Sequence, residues 1–290
     1  MTTRNRSVKQ VIRALATSDG AGVKLLRSLG SRQDARLDPF LMLDEFGTDN
    51  PDDYIAGFPS HPHRGFETVT YMLDGHMEHR DHLGNVGDLR PGGVQWMTAG
   101  RGVIHSEMPK QSEGRMRGFQ LWINLPAAEK MKPAHYRDMQ ADEIPVVALP
   151  QGGQVKVIAG RARIAGQAVD GPINSGEERL STDPLYLDVR LDAGATFEHP
   201  VKAGYNAFAY VFEGDASVDG TALPTSAAAL LDTDGDAVRV TAGGAGARFL
   251  LLAGRPIGEP MVQYGPFVMN TREEIEQALH DYRSGTLVAS

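Results

Sequence analysis

Short apolar runs, cut at close intervals by Gly, Pro or Asp-Gly, are what most constrain this fold. They are FETVTYML (66–73), GVQWMTA (93–99), FQLWINL (119–125) and QVKVIAG (154–160), then LYLDVRL (185–191), NAFAYVF (206–212) and RFLLLAG (248–254). Runs of this length between turn residues read as β-strands. With 33 Gly and 17 Pro the chain favours a turn-rich β architecture over a helical bundle. Only the tail reads as a helix. In NTREEIEQALHDYRSG, Thr271 serves as N-cap with Glu274 three residues on, a capping box. Ile275, Ala278, Leu279 and Tyr282 share one helical face, and Gly285 closes the end.

The 290 residues exceed what one small core organises, so two domains are expected. An internal repeat supports this. TVTYMLDGHMEHRD (68–81) aligns with AFAYVFEGDASVDG (207–220), matching Tyr71 to Tyr210, Asp74 to Glu213 and Gly75 to Gly214 at an offset of 139 residues. Each copy reads as a strand, a tight turn and a returning strand. The polar, proline-bounded stretch 126–150 between them reads as a linker. The expectation is a two-domain, all-β protein.

Composition excludes several functions. A net charge of −8 without any cluster of Lys or Arg lacks the footprint of direct nucleic-acid binding. With no cysteine, thiolate catalysis, disulfides and iron–sulfur clusters are out, and a metal must be held by nitrogen and oxygen. No apolar stretch approaches the roughly 20 residues of a membrane helix. The basic start, MTTRNRSVKQVIRALATSD, has no apolar core of a secretory signal and reads as a solvated first strand or turn. A cytoplasmic protein that makes no membrane contact is expected.

The chemistry concentrates in two short pairs. In HPHRGFE, His61 and His63 flank Pro62. Residues i and i+2 of a strand lie on one face, ~6.5 Å apart, so both rings can aim at one point. Pro62 lacks an N–H and suits an edge or terminal strand. Forty-two residues after His63, VIHSEMP repeats the spacing with His105 and Glu107. Three imidazoles and a carboxylate from two strands suit divalent Fe, Mn, Ni, Cu or Zn and leave coordination positions open for catalysis. Glu67, four residues after His63 and on the same face if the strand continues, competes with Glu107 for the carboxylate position. Spacing leaves both open. His76, His79 and His82, at intervals of three, cannot all converge and read as a solvated strand face. His135 and His280 read as surface residues, and His199 stands alone. Carrying the ligand positions forward by the repeat offset puts Pro200, Lys202 and Asn206 opposite His61, His63 and Glu67, so one metal site per chain is expected.

With HPHRGFETVTYMLDG, HRDHLGNVGDLRPGGVQWMTAGRGVIHSEMP and GPFVMNTREEIEQA read together, the chain resembles the pirin family of the cupin superfamily from DPFLMLDEF (38–46) to the terminal helix. The resemblance implies a bicupin of two jelly-roll, β-barrel-like domains. They are a metal-binding N-terminal domain over 1–130 and a degenerate C-terminal one over 131–290 carrying a short α-helix. It implies His61, His63, His105 and Glu107 as ligands, which chooses Glu107 over Glu67. The metal would be Fe(II) foremost, with Zn, Mn, Ni, Co or Cu as alternatives. The implied activity is that of a quercetin 2,3-dioxygenase, opening the central ring of a flavonol with O₂ and releasing carbon monoxide, with Glu107 accepting the hydroxyl proton. Phe66, Trp96 and Met97 are candidate apolar walls. The same family implies a competing role, a regulatory binding protein acting through protein partners without turnover. A monomer is expected.

Overall fold

The computed structural model describes residues 4–32, 34–176 and 179–288, so the first three residues of the basic start lie outside it. All seven apolar runs are strands. In chain order the strands are β1 (Val8–Arg13), β2 (Leu15–Asp19), β3 (Val23–Arg27), β4 (Phe40–Thr48), β5 (Phe58–His63), β6 (Phe66–Asp74), β7 (Met77–Asp81), β8 (Val86–Leu89), β9 (Val94–Thr98), β10 (Val103–Pro109), β11 (Met116–Asn124) and β12 (His135–Met139). They continue as β13 (Val146–Ala148), β14 (Gly153–Ala159), β15 (Arg161–Ile164), β16 (Gln167–Asp170), β17 (Leu185–Leu191), β18 (Thr196–Pro200), β19 (Asn206–Val218), β20 (Thr221–Leu223), β21 (Ala227–Leu231), β22 (Ala237–Gly254), β23 (Val262–Tyr264) and β24 (Phe267–Met269). The helix α1 (Arg272–Ser284) follows, with the Thr271–Glu274 capping box formed and Gly285 left-handed at its end.

The chain forms two compact units. A histidine unit takes residues 16–27, 40–141 and 257–290, and an aliphatic unit takes 1–15, 28–39 and 142–256. One cut at residue 130 describes neither, because each unit borrows a chain end. Strand β1 pairs with β21 in the aliphatic sheet, while α1 packs Ile275 and Ala278 on Phe267 and Met269 of the histidine unit. Nor is 126–150 a plain linker. It supplies β12 to the edge of one sheet and β13 to the edge of the other.

In the histidine unit a seven-stranded sheet runs β12-β9-β6-β11-β4-β3-β2, and a four-stranded sheet runs β5-β10-β7-β8. In the aliphatic unit the main path is β1-β21-β19-β22-β17-β14-β13. The repeat is therefore structural: β6 and β19 each lie third in their sheet, with Tyr71 and Tyr210 both buried. The expected hairpin after each copy is corrected, however. Strand β7 pairs with β10 and β8 instead of returning along β6, so the chain turns a corner at Gly75 into the other sheet. In the second copy β19 continues past Gly214 against β22 with shifts of register on either side. Both glycines have positive φ. A Cβ would stand 3.0 Å from Arg115 O at Gly75 and 2.1 Å from Gly246 O at Gly214. The glycines permit a close-packed corner, which short-range pattern does not distinguish from a two-residue turn.

The aliphatic core, built around Val157, Leu187, Phe249 and Leu251, encloses one buried imidazole. His199 Nε2 accepts the Arg163 N–H at 3.2 Å, and burial pushes the ring down to about 4 against the pull of the Pro200 backbone. Because the unfolded chain takes up that proton more readily, the neutral ring's contribution is complete above its unfolded value, near 6.5. It is lost as pH falls toward 4. Urea unfolding followed from pH 7 to 4 should show wild type losing about 3 kcal/mol more than His199→Gln, which keeps an acceptor but does not titrate. Parallel pH profiles would contradict this.

Candidate metal centre

Strand β5 is the edge of the four-stranded sheet, the place in a sheet that tolerates a proline such as Pro62. Its partner β10 sets His105 opposite His61 and Val103 opposite His63, and β7 sets His79 opposite Glu107. Alternation then places His61, His63, His105, Glu107 and His79 on a single face of that sheet. The three predicted imidazoles converge. One ligand nitrogen from each of His61, His63 and His105 lies within 4.8 Å of the others, and the ring centroids are 4.4 to 4.9 Å apart.

Burial favours the neutral, metal-ready form of His63 and His105. It pushes His63 well below the ordinary imidazole range, reinforced by His61 and opposed by the Pro266 backbone. His105 is pushed the same way, by burial first and then by His63, His61 and His79. At His61, Nδ1 lies 2.8 Å from Pro59 O, which only accepts, so Nδ1 carries a proton and in the neutral ring Nε2 keeps the lone pair. The buried His105 Nε2 has no hydrogen-bond partner. Neutral nitrogen donors with an unpartnered buried lone pair fit a divalent cation of borderline softness.

The two carboxylates part company. Glu107 is 2% exposed and lies outside the set of nitrogens within 4.8 Å. Thr70 Oγ1 donates to its Oε1 at 2.9 Å, and Gln120 Nε2 donates to Oε2 at 3.1 Å. Glu67 is not on the face shared by the histidines. The chain leaves the four-stranded sheet at Arg64–Gly65, and β6 begins in the other sheet, so the parity argument linking His63 to Glu67 fails. Phe66 and Thr70 point to the cluster, whereas Glu67 alternates to the opposite face, where Thr98 Oγ1 donates to it at 2.7 Å and burial raises its pKa.

Several neighbours escape sequence reasoning. His79 is 2% exposed rather than solvated, with its ring against His105. Met77, two residues earlier on the same strand face and also buried, is the signal that marks this face as inward. Trp122 packs edge-on to His63 at 5.4 Å and against Phe66 at 4.3 Å. Of the expected apolar walls, Phe66 touches His63, but Trp96 alternates away from Gln95 and Met97, to the face carrying Glu67.

The turn after His63 is clamped by the chain's far end. Arg64 Nη1 pairs with Asp281 at 2.7 Å, and Nη2 donates to Leu287 O at 3.2 Å. Lys130, buried and lowered to about 8 by burial, donates to Gly65 O, Asn124 Oδ1 and Val268 O at 2.7, 2.6 and 2.9 Å. Gly65 has φ +90°, and a Cβ there would fall 2.0 Å from Val268 O.

Two packed antiparallel sheets with histidines converging from neighbouring strands, repeated in topology by a second unit, define a two-domain cupin. The Pirin family model matches residues 22–123, and that of the Pirin C-terminal cupin domain matches residues 186–288. A Pseudomonas aeruginosa protein provisionally named quercetin 2,3-dioxygenase is 54% identical over 98% of this chain and 99% of its own. A Caulobacter vibrioides pirin-like protein is 52% identical over 97% and 98%. Among solved structures, a quercetin 2,3-dioxygenase from Acinetobacter baumannii is 33% identical with a TM-score of 0.88 over 99% of both chains. The chain belongs to the pirin family.

Gly65→Ala should lower stability by at least ~1 kcal/mol through backbone strain and weaken metal uptake together with it, read by urea unfolding and metal titration. Wild-type values in both would show that the clamp does not set the site.

Proposed function

We propose that this protein is a metal-dependent dioxygenase of the pirin type that opens the central ring of a flavonol such as quercetin with O₂. The observation that carries the reading is the convergence of three imidazoles beside a buried, doubly hydrogen-bonded carboxylate. His61, His63 and His105 would hold one divalent ion, Fe(II) foremost, with Glu107 as the fourth donor. The metal supplies Lewis acidity toward a substrate oxygen when bound.

The remaining work falls to the chain. Glu107 accepts the proton of the flavonol 3-hydroxyl, and Thr70 and Gln120 keep its carboxylate turned to the substrate. The half-buried Trp122 offers apolar surface for a flat aromatic ring, and the packing of Trp122 and the buried Phe66 on His63 keeps that imidazole in place. Burial of the face limits water at the reacting oxygen and strengthens each polar contact.

Aerobic incubation of Fe(II)-loaded protein with quercetin, followed by loss of visible absorbance, tests the proposal. Many turnovers per chain are expected. The His61→Ala/His63→Ala double variant should lose both turnover and bound metal. Stoichiometric or absent loss by metal-loaded wild type would overturn the enzyme reading in favour of a regulatory module acting through a protein partner.

A further inference from the structure

Behind His105 runs a line of polar side chains that the ligand set does not use. Asp138 Oδ1 accepts from Gln95 Nε2 at 2.8 Å, Gln95 Oε1 meets His79 Nδ1, and His79 Nε2 lies 3.2 Å from His105 Nδ1. Gln95, His79 and His105 are each at most 3% exposed, while Asp138 stands at the exposed end. The line starts on β12, crosses β9, and passes from the seven-stranded sheet to β7 and β10 of the other.

Donor and acceptor chemistry gives the line one direction. A carboxylate accepts, so Gln95 turns its NH₂ to Asp138 and its carbonyl oxygen to His79. That oxygen also only accepts, so His79 carries its proton on Nδ1. In its neutral form His79 accepts on Nε2, and His105 then donates from Nδ1. The His105 lone pair is left on Nε2, the buried atom that has no hydrogen-bond partner.

Gly87 supports the same reading independently. It lies opposite His79 on β8 and lacks the positive φ that would itself require glycine. A methyl group there would stand 2.6 Å from both Asp138 Oδ2 and Gln95 Nε2. The missing side chain makes room for the Asp138–Gln95 bond.

We propose that His79, set by Gln95 and Asp138, is a positioning residue that holds His105 as its Nδ1–H tautomer and presents its Nε2 lone pair to the metal. The proposal rests on the metal reading above, and partners of this kind orient and tune the ligand they touch.

Long-range ¹H–¹⁵N imidazole spectra of the metal-free full-length protein read the tautomer, and competition with a chromophoric Fe(II) or Zn(II) chelator reads affinity. Wild type should show His105 protonated at Nδ1. His79→Leu, Gln95→Leu and Gly87→Ala should mix the tautomers and weaken metal binding by about 10- to 100-fold, with His79→Gln recovering most of the loss through its amide oxygen. Gly87→Ala and Gln95→Leu leave every histidine in place, so the proposal stays testable if His79→Leu fails to fold. His105 protonated at Nε2 in wild type, or unchanged affinity in all three variants, would overturn the proposal. A wild type with the Nδ1–H tautomer but no metal uptake would instead overturn the metal reading and leave the tautomer assignment standing.

Discussion

The structure depends on one cross-strand pairing, His105 of β10 against His61 of the edge strand β5. It brings imidazoles from two strands into contact and adds His63, two residues along, to the same face. The arrangement is costly without a cation. Three imidazoles crowd together with centroids 4.4 to 4.9 Å apart, and the buried His105 Nε2 finds no hydrogen-bond partner. An edge strand with proline in it does not hold such a cluster by its own ladder. The stiffness comes from Lys130 and Arg64, which tie the following turn to β24 and the segment after α1. The tail helix, far from the histidines in sequence, is thus part of the site's frame.

Much of this was legible. Strand-length apolar runs, the convergence of His61, His63 and His105, and the capping box depend on neighbours within a few residues or on strand alternation, and the structure shows each of them. The misreadings share a cause: they needed to know where the chain changes sheets. His63 and Glu67 look like one strand face until Gly65 carries the backbone into another sheet. Gly75 looks like a hairpin turn until β7 is seen pairing with β10. His79 looks solvated because it lies at intervals of three with His76 and His82, although its alternation partner Met77 marks an inward face. The exchange of chain ends is non-local altogether, since nothing within β1 or α1 names the sheet each joins.

The two units show what becomes of one topology when its polar face is kept or lost. At the repeat offset, Lys202 stands where His63 does. Its ammonium pairs with Asp183, and its carbonyl accepts from Arg6 at 2.9 Å. Around it the core is aliphatic, and among the described residues the three-histidine group in the other unit is the one cluster that could hold a metal. Among the described residues no helix is long and apolar enough to cross a membrane.

The most direct measurement is anomalous diffraction from crystals of the metal-loaded protein at the metal's absorption edge. The account predicts one strong peak per chain, bonded to His61, His63 and His105, with the last through Nε2, at about 2.0–2.2 Å. A peak held by other side chains, or His105 binding through Nδ1, would contradict it.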